Sequence, residues 1–225
     1  LLASPSSGCI SIHSHIVMGQ GKGKADFVGG YPAFEGLPVE SRIEQAHIWS
    51  NGISGVVAVR DLRLQAPLAF FLAGFFQHVP QLQFGVKAVF HVAALAFSLR
   101  KAEREEVELV PGTAACDAAL KAFLRAHPEK KAGDFHPEEF SFHGRGAMLP
   151  TEVVGVWAFQ GPVLAMERVE FMGRHFFRLL TLFSGSGERA LQGYVYAAEH
   201  TLKGYVPQIG DDMVGMLWLQ GSMET

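Results

Sequence analysis

The chain says one thing twice. Leu37-Pro38-Val39-Glu40 opens one stretch, and Leu149-Pro150-Thr151-Glu152 opens another about half of the 225 residues further on. Each continues through helix-like spacing that includes a tryptophan, Trp49 or Trp157, and each then enters an alternating apolar segment. At the centre of those segments an arginine sits beside an acid, Arg60-Asp61 in the first and Glu167-Arg168 in the second. Solenoid repeats recur every roughly 20–50 residues. A spacing this much longer implies two copies of one supersecondary unit. The expected division is a first repeat over residues 1–110 and, over 111–225, a linker helix followed by the second repeat.

Composition excludes several classes of function. A formal charge of −3 leaves no broad basic surface, so nucleic acid is not an expected partner. The two cysteines, Cys9 and Cys116, lie far apart without metal-type spacing, which fits a reduced, cytoplasmic chain. The most apolar stretch, residues 66–97, begins with a block from Ala66 to Phe76 that is closed by Gln77, His78 and Pro80. That block is about half of the roughly 20 apolar residues a spanning helix needs. Lys87 and His91 interrupt the second apolar block, so the stretch is expected in a buried core and not in a membrane. The opening LLASPSSG has no basic region of a secretory signal.

Local patterns predict the elements. Cys9–Ile16 alternates apolar and polar residues, the period of a strand with one buried face, and a glycine-rich loop over 19–36 comes next. Pro38–Ser50 reads as a helix, with Val39, Ile43, Ala46 and Ser50 on one stripe and Glu40, Glu44 and His47 on the next. Strands are expected at Gly55–Leu64, Gln81–Val92, Ala94–Arg100 and Val107–Val110, although Val86–Glu106 also admits a helix. A helix over Ala114–His127 precedes a polar linker at 128–146, and a shorter helix spans Thr151–Phe159. Further strands are expected at Val163–Phe171, His175–Ser184, Ala190–Ala198 and Met213–Gln220, with SGSGER a turn between two of them.

Each half thus runs strand, glycine-rich loop, helix, strands. That order resembles the hot-dog fold, a curved antiparallel sheet wrapped around one long helix, and here it implies an α+β protein of two hot-dog-like repeats. VRDLRLQAPLAF is similar to the strand after the helix in polyketide-type dehydratases, and AMERVEFMG to its equivalent in β-hydroxyacyl carrier-protein dehydratases. The resemblance implies action on acyl thioesters carried by acyl carrier protein or coenzyme A, without a cofactor, in a chain for which a homodimer is one expected assembly. In that family a loop histidine of one copy and a helical acid of the other act together. His143 stands in HGRGAMLP, where Leu149 interrupts the family's Met-Pro, while the first helix carries Glu44. The resemblance therefore implies His143 as general base and Glu44 as general acid for dehydration of a 3-hydroxyacyl group. Gly144, Gly146, Phe70, Phe71 and Trp157 would contact substrate. Thioester hydrolysis, and a non-catalytic role as an acyl-chain-binding or assembly subunit of the same fold, remain alternatives.

Two other patterns carry chemistry. His13 and His15 share one strand face and would serve as a metal pair if a third ligand, such as His136, His143, Glu138 or Glu139, joined them. GQGKGK at 19–24 is glycine-rich but lacks the GxxxxGK[ST] of a phosphate loop.

Overall fold

The computed structural model describes residues 2–18, 25–103, 111–112, 114–136 and 143–224. Strands β1 (Leu2–Ser7), β2 (Ile10–Met18) and β3 (Ala25–Phe34) form a small antiparallel sheet. The next four strands are β4 (Leu37–Ile48), β5 (Gly55–Asp61), β6 (Pro67–Leu72) and β7 (Lys87–Lys101), with a short helix α1 (Phe75–His78) before β7. Helix α2 (Ala114–Ala126) is followed by β8 (Ala147–Pro150), β9 (Val156–Phe171), β10 (Arg174–Ser184), β11 (Leu191–Ala198) and β12 (Asp212–Met223).

This is a β architecture, and the expected helix wrapped by a sheet is overturned. Pro38–Ser50 forms most of β4, where Val39, Ser41 and Ile43 are buried while Glu40 and Arg42 are exposed. Two local features disguise that alternation. Ser41, a polar residue, takes an inward position at 0% exposure. A bulge between Ile43 and Gln45 then shifts the register by one, so the inward apolar residues fall at 39, 43 and 46, a spacing that mimics a helical stripe. The second expected helix is a turn at 151–155 followed by β9, and Val86–Glu106 is mostly the strand β7. Helix α2 is where the sequence places it, but none of its described side chains belongs to the main core. The expected strand Val107–Val110 lies outside the described residues.

The larger sheet closes twice. β4, β5, β6, β12 and β7 form one five-stranded ring, and β9, β10, β11, β7 and β12 form a second. Both contain the antiparallel β7–β12 ribbon, which runs from Met213 opposite Lys101 to Met223 opposite Phe90. The outer edge of β7 pairs with β4 over Lys87–Val92 and then in parallel with β11 over Ala93–Leu95. The outer edge of β12 pairs with β9 over Asp212–Trp218 and then in parallel with β6 at Gln220–Gly221. The two barrels therefore stack end to end on one ribbon. Phe90, Val92, Ala94, Ala96, Met213, Leu217 and Leu219 all face the same continuous core.

The two rings follow one strand order, three consecutive strands closed by the ribbon, but not in the register of the Leu-Pro echo. Leu37 begins β4, whereas Leu149 lies near the end of β8. The true landmark is the turn before each ribbon strand, Gln83-Phe84-Gly85-Val86 in one half and Gln208-Ile209-Gly210-Asp211 in the other. Gly85 N–H donates to Ile43 O and Ile43 N–H to Val86 O, at 2.8 and 2.9 Å. Gly210, Val163 and Asp211 repeat that pair of bonds at 2.8 and 2.8 Å. Both glycines hold left-handed backbone, with φ of 83° and 92°, a conformation glycine adopts without a Cβ penalty.

The small sheet packs on the outside of the second barrel. Cys9, Ile10 and Phe34 meet Ala93, Phe171 and Tyr196 in a second apolar cluster. Polar clamps fix its edge. Phe34 N–H donates to Gln220 Oε1 at 3.0 Å, Gln220 Nε2 donates to Pro32 O at 2.6 Å, and Tyr196 OH donates to Glu35 O at 3.0 Å. Arg178 pairs with Glu35 at 2.6 Å and lies 4.6 Å from the Tyr194 ring centroid.

The ribbon tolerates no side chain at its closest approach, because a Cβ on Gly215 would lie 2.0 Å from the backbone oxygen of Ser98. Gly215→Ala is expected to lower stability by about 1–3 kcal/mol, the usual cost of overpacking, read from the urea unfolding midpoint. An unchanged midpoint would contradict the shared-ribbon packing.

Candidate functional site

Alternation along four neighbouring strands builds one face. On β12, Met213 and Leu217 point inward, so Asp212, Val214 and Met216 point out; on β9, Ala158 and Gln160 do the same. A bulge at Phe97 restores the parity of β7, turning Ser98 and Arg100 outward while Leu99 stays in the core. β8 adds Ala147 opposite Gln160 and Leu149 opposite Ala158. After β11 a 3-10 turn (Glu199–Leu202) brings Thr201, Leu202 and Lys203 against this face. Together these residues line a cleft of about 560 Å3, within the range of small-molecule sites.

The cleft is mostly aliphatic, and its polar groups are few. Gln160 is only 2% exposed, and its Oε1 has no hydrogen-bond partner among the described residues. Leaving a buried acceptor unpaired costs about 1–3 kcal/mol. Lys203 lines the cleft in left-handed backbone, φ 51°, an uncommon conformation for a residue with a side chain. Arg100 places a second cation on the same wall.

Adjacent aspartates hold the two segments that flank this cleft. Because Asp211 and Asp212 are neighbours at the start of a strand, their side chains diverge. Asp211 accepts from Lys101 Nζ at 2.6 Å, from Tyr205 OH and from Gln208 N–H at 2.8 Å, which ties down the loop carrying Lys203. Burial pushes the Asp211 carboxyl up, but the hydrogen bonds from Lys101, Tyr205 and Gln208 outweigh it and hold it below its ordinary value. The Lys101 ammonium is raised in return, chiefly by its bond to Asp211. Asp212 faces the other way. It accepts from Gly144 N–H at 3.1 Å and meets Nδ1 of His143, fixing the segment that leads into β8.

His143 is paired with Asp212 and not with Glu44; its side chain is 78% exposed, and Asp212 precedes the cleft-lining Val214 by two residues on β12. Glu44 lies on β4 beyond the start of β7 and bonds Arg60 Nε at 2.5 Å. The two expected partners sit at opposite ends of β7, a 15-residue strand about 45 Å long when extended. Gly144 and Gly146 flank His143 on the approach to the cleft, and Gly146 pairs with Gly185. Phe70 and Trp157 are in the barrel core, where Trp157 Nε1 donates to Ala69 O at 2.9 Å. Phe71 is buried on the other side of its strand, ringed by Tyr31, Trp49 and Trp218 at centroid distances of 5.0–5.5 Å. None of these three aromatics lines the cleft.

His13 and His15 lie two residues apart on β2, in register with Tyr31 and Gly29 of β3. Among the described residues no three His, Cys, Asp or Glu side chains converge as a metal site would require; Glu138, Glu139 and the GQGKGK stretch lie outside them. Cys9 and Cys116 are both free thiols. No helix among the described residues is long and apolar enough to cross a membrane. Sequence reasoning passed over Gln160, Lys203, Asp211 and Asp212. The one signal for the two aspartates was the Gln-x-Gly turn before β12, which places Asp211 and Asp212 at a strand start; no local pattern marks Gln160 or Lys203.

Compared with known proteins, the chain matches no family model, no curated protein and no solved structure.

Because the Asp211 carboxyl is held low, its contribution to stability is complete above the ordinary aspartate value, about 3.9, and fades as the pH falls through the depressed one. Asp211→Asn is expected to lower the thermal midpoint by a few degrees at pH 7. The difference from the parent protein should shrink in acid. A gap that is constant or widens as the pH falls would contradict this account of the loop.

Proposed function

We propose that the protein binds a small amphipathic acid of the acyl type in the cleft between β8 and the ribbon. The observation carrying this reading is the lining itself. An aliphatic floor of Leu149, Ala158, Val214 and Met216 suits an alkyl chain, and the ammonium of Lys203 and the guanidinium of Arg100 suit an acidic head. Burial of the chain would supply the larger part of the affinity, at roughly 25 cal/mol per Å2 of apolar surface. The cations would set orientation and make binding salt-dependent.

Calorimetric titration with decanoate tests it. Binding is expected in the parent protein, and Lys203→Glu should weaken it about tenfold, the size of one charge-assisted contact. Equal affinity in both proteins would reject the assignment of the head group to Lys203.

A second reading, favoured by the His143–Asp212 pair, adds turnover. A histidine held through Nδ1 by a buried carboxylate is oriented for proton transfer through its other nitrogen. Acting on an acyl thioester of coenzyme A or acyl carrier protein, His143 would take a proton either from an attacking water or from the α-carbon of a 3-hydroxyacyl group. Glu44 is not available to this cleft, so a dehydration here would need a different proton donor to the leaving hydroxyl. His143→Gln should abolish hydrolysis or dehydration of such thioesters while decanoate affinity stays unchanged. Undiminished turnover in the variant would reject His143 as the group that moves the proton, and no turnover by the parent would leave binding as the whole function.

A further inference from the structure

We infer that Gln160 is a specificity-determining residue of the cleft, selecting ligands that carry a neutral hydrogen-bond donor, a hydroxyl or amide N–H, in addition to their acidic group. The inference rests on the binding reading above and adds what that reading leaves open, the chemistry of the chain itself.

The sheet offers Gln160 nothing to bond. Its neighbour across one strand pair is Val214 and across the other is Ala147, both aliphatic. Gln160 is 2% exposed, and no described residue bonds its Oε1. A methionine or leucine would fill a similar space without an acceptor to satisfy, so what the amide adds to this face is the capacity to accept from a donor that enters the cleft. Oε1 accepts a proton and carries no full charge, so the group it suits is a neutral donor.

The internal repeat provides a contrast. Glu40 on β4 faces Val89 on β7 as Gln160 on β9 faces Val214 on β12. Glu40 is exposed, on the barrel whose matching face has no described strand in the place of β8. Where the face is open to water, the position carries a charge; where the face is roofed, it carries a neutral acceptor. Sites built to bond a ligand hydroxyl discriminate strongly against analogues that lack it, since their own group is then left unpaired.

The test is calorimetric titration of the parent protein, Gln160→Met and Gln160→Leu with decanoate, β-hydroxydecanoate and N-octanoylglycine, with the urea midpoint of each variant as the control for folding. The parent is expected to prefer at least one of the two donor-bearing probes over decanoate by about tenfold, and which one it prefers separates hydroxyl from amide. In both variants the ratio of affinities between the preferred donor-bearing probe and decanoate should fall to about one, and both should unfold at equal or higher urea. A parent that binds all three alike overturns the role of Gln160 and leaves the binding reading standing. So does a preference that survives in either folded variant. A parent that binds none of them overturns both.

Discussion

Everything in this molecule hangs on the β7–β12 ribbon. Among the described strands it is the one pair common to both barrels, and each of its strands divides its outer edge between two partners from different halves of the chain. Small residues make that possible. Ala93, Ala94 and Ala96 lie along β7 with at most 3% exposure, and Gly215 and Gly221 on β12 lie where a Cβ would strike backbone or the Phe70 ring. Large side chains there would hold the strands apart from the core they share. One inward face running the length of the ribbon gives two barrels a single hydrophobic interior, and burial on that scale is the main favourable term in folding.

The ribbon also places the cleft. Its outward residues at the second barrel, Ser98, Arg100, Val214 and Met216, line it, while the turn before β12 supplies the aspartates that anchor the flanking segments. Structure and site are therefore coupled through one short segment. Asp211 works on the loop and Asp212 on the strand lead-in, and strand alternation alone sends them in opposite directions. The small sheet, by contrast, is docked on the outer face near Tyr196 and Arg178, away from this cleft.

How far the sequence discloses this depends on which residues carry the pattern. Strands β5 and β10–β12 fall close to where the sequence places them, because each is a short apolar run bounded by turn residues. β4 is misread because Ser41 faces inward and a bulge moves Ala46 to the core side, which together reproduce the period of a helix. Once β4 is taken as a helix, the hot-dog resemblance arises and draws Glu44 toward His143. His143 itself lies beside the cleft, but its partner Asp212 is close only through the pairing of β12 with β9, which no local pattern reveals. Gln160 is invisible for the same reason: its significance is that nothing polar lies across from it, and only the register of two strand pairs establishes that.

The exchange of partners across the ribbon has a consequence for synthesis. β12 is the last of the twelve described strands to be made, yet it completes both rings, the first by pairing with β6 and the second with β9. Until it emerges, β4 through β7 can form a curved meander but not a closed barrel, and the apolar edge of β7 stays open to other chains. Such long-range closure is slow and leaves edges exposed to aggregation in the interval. A newly made chain is thus vulnerable until almost all of the described fold has left the ribosome, and then both barrels close in the same event.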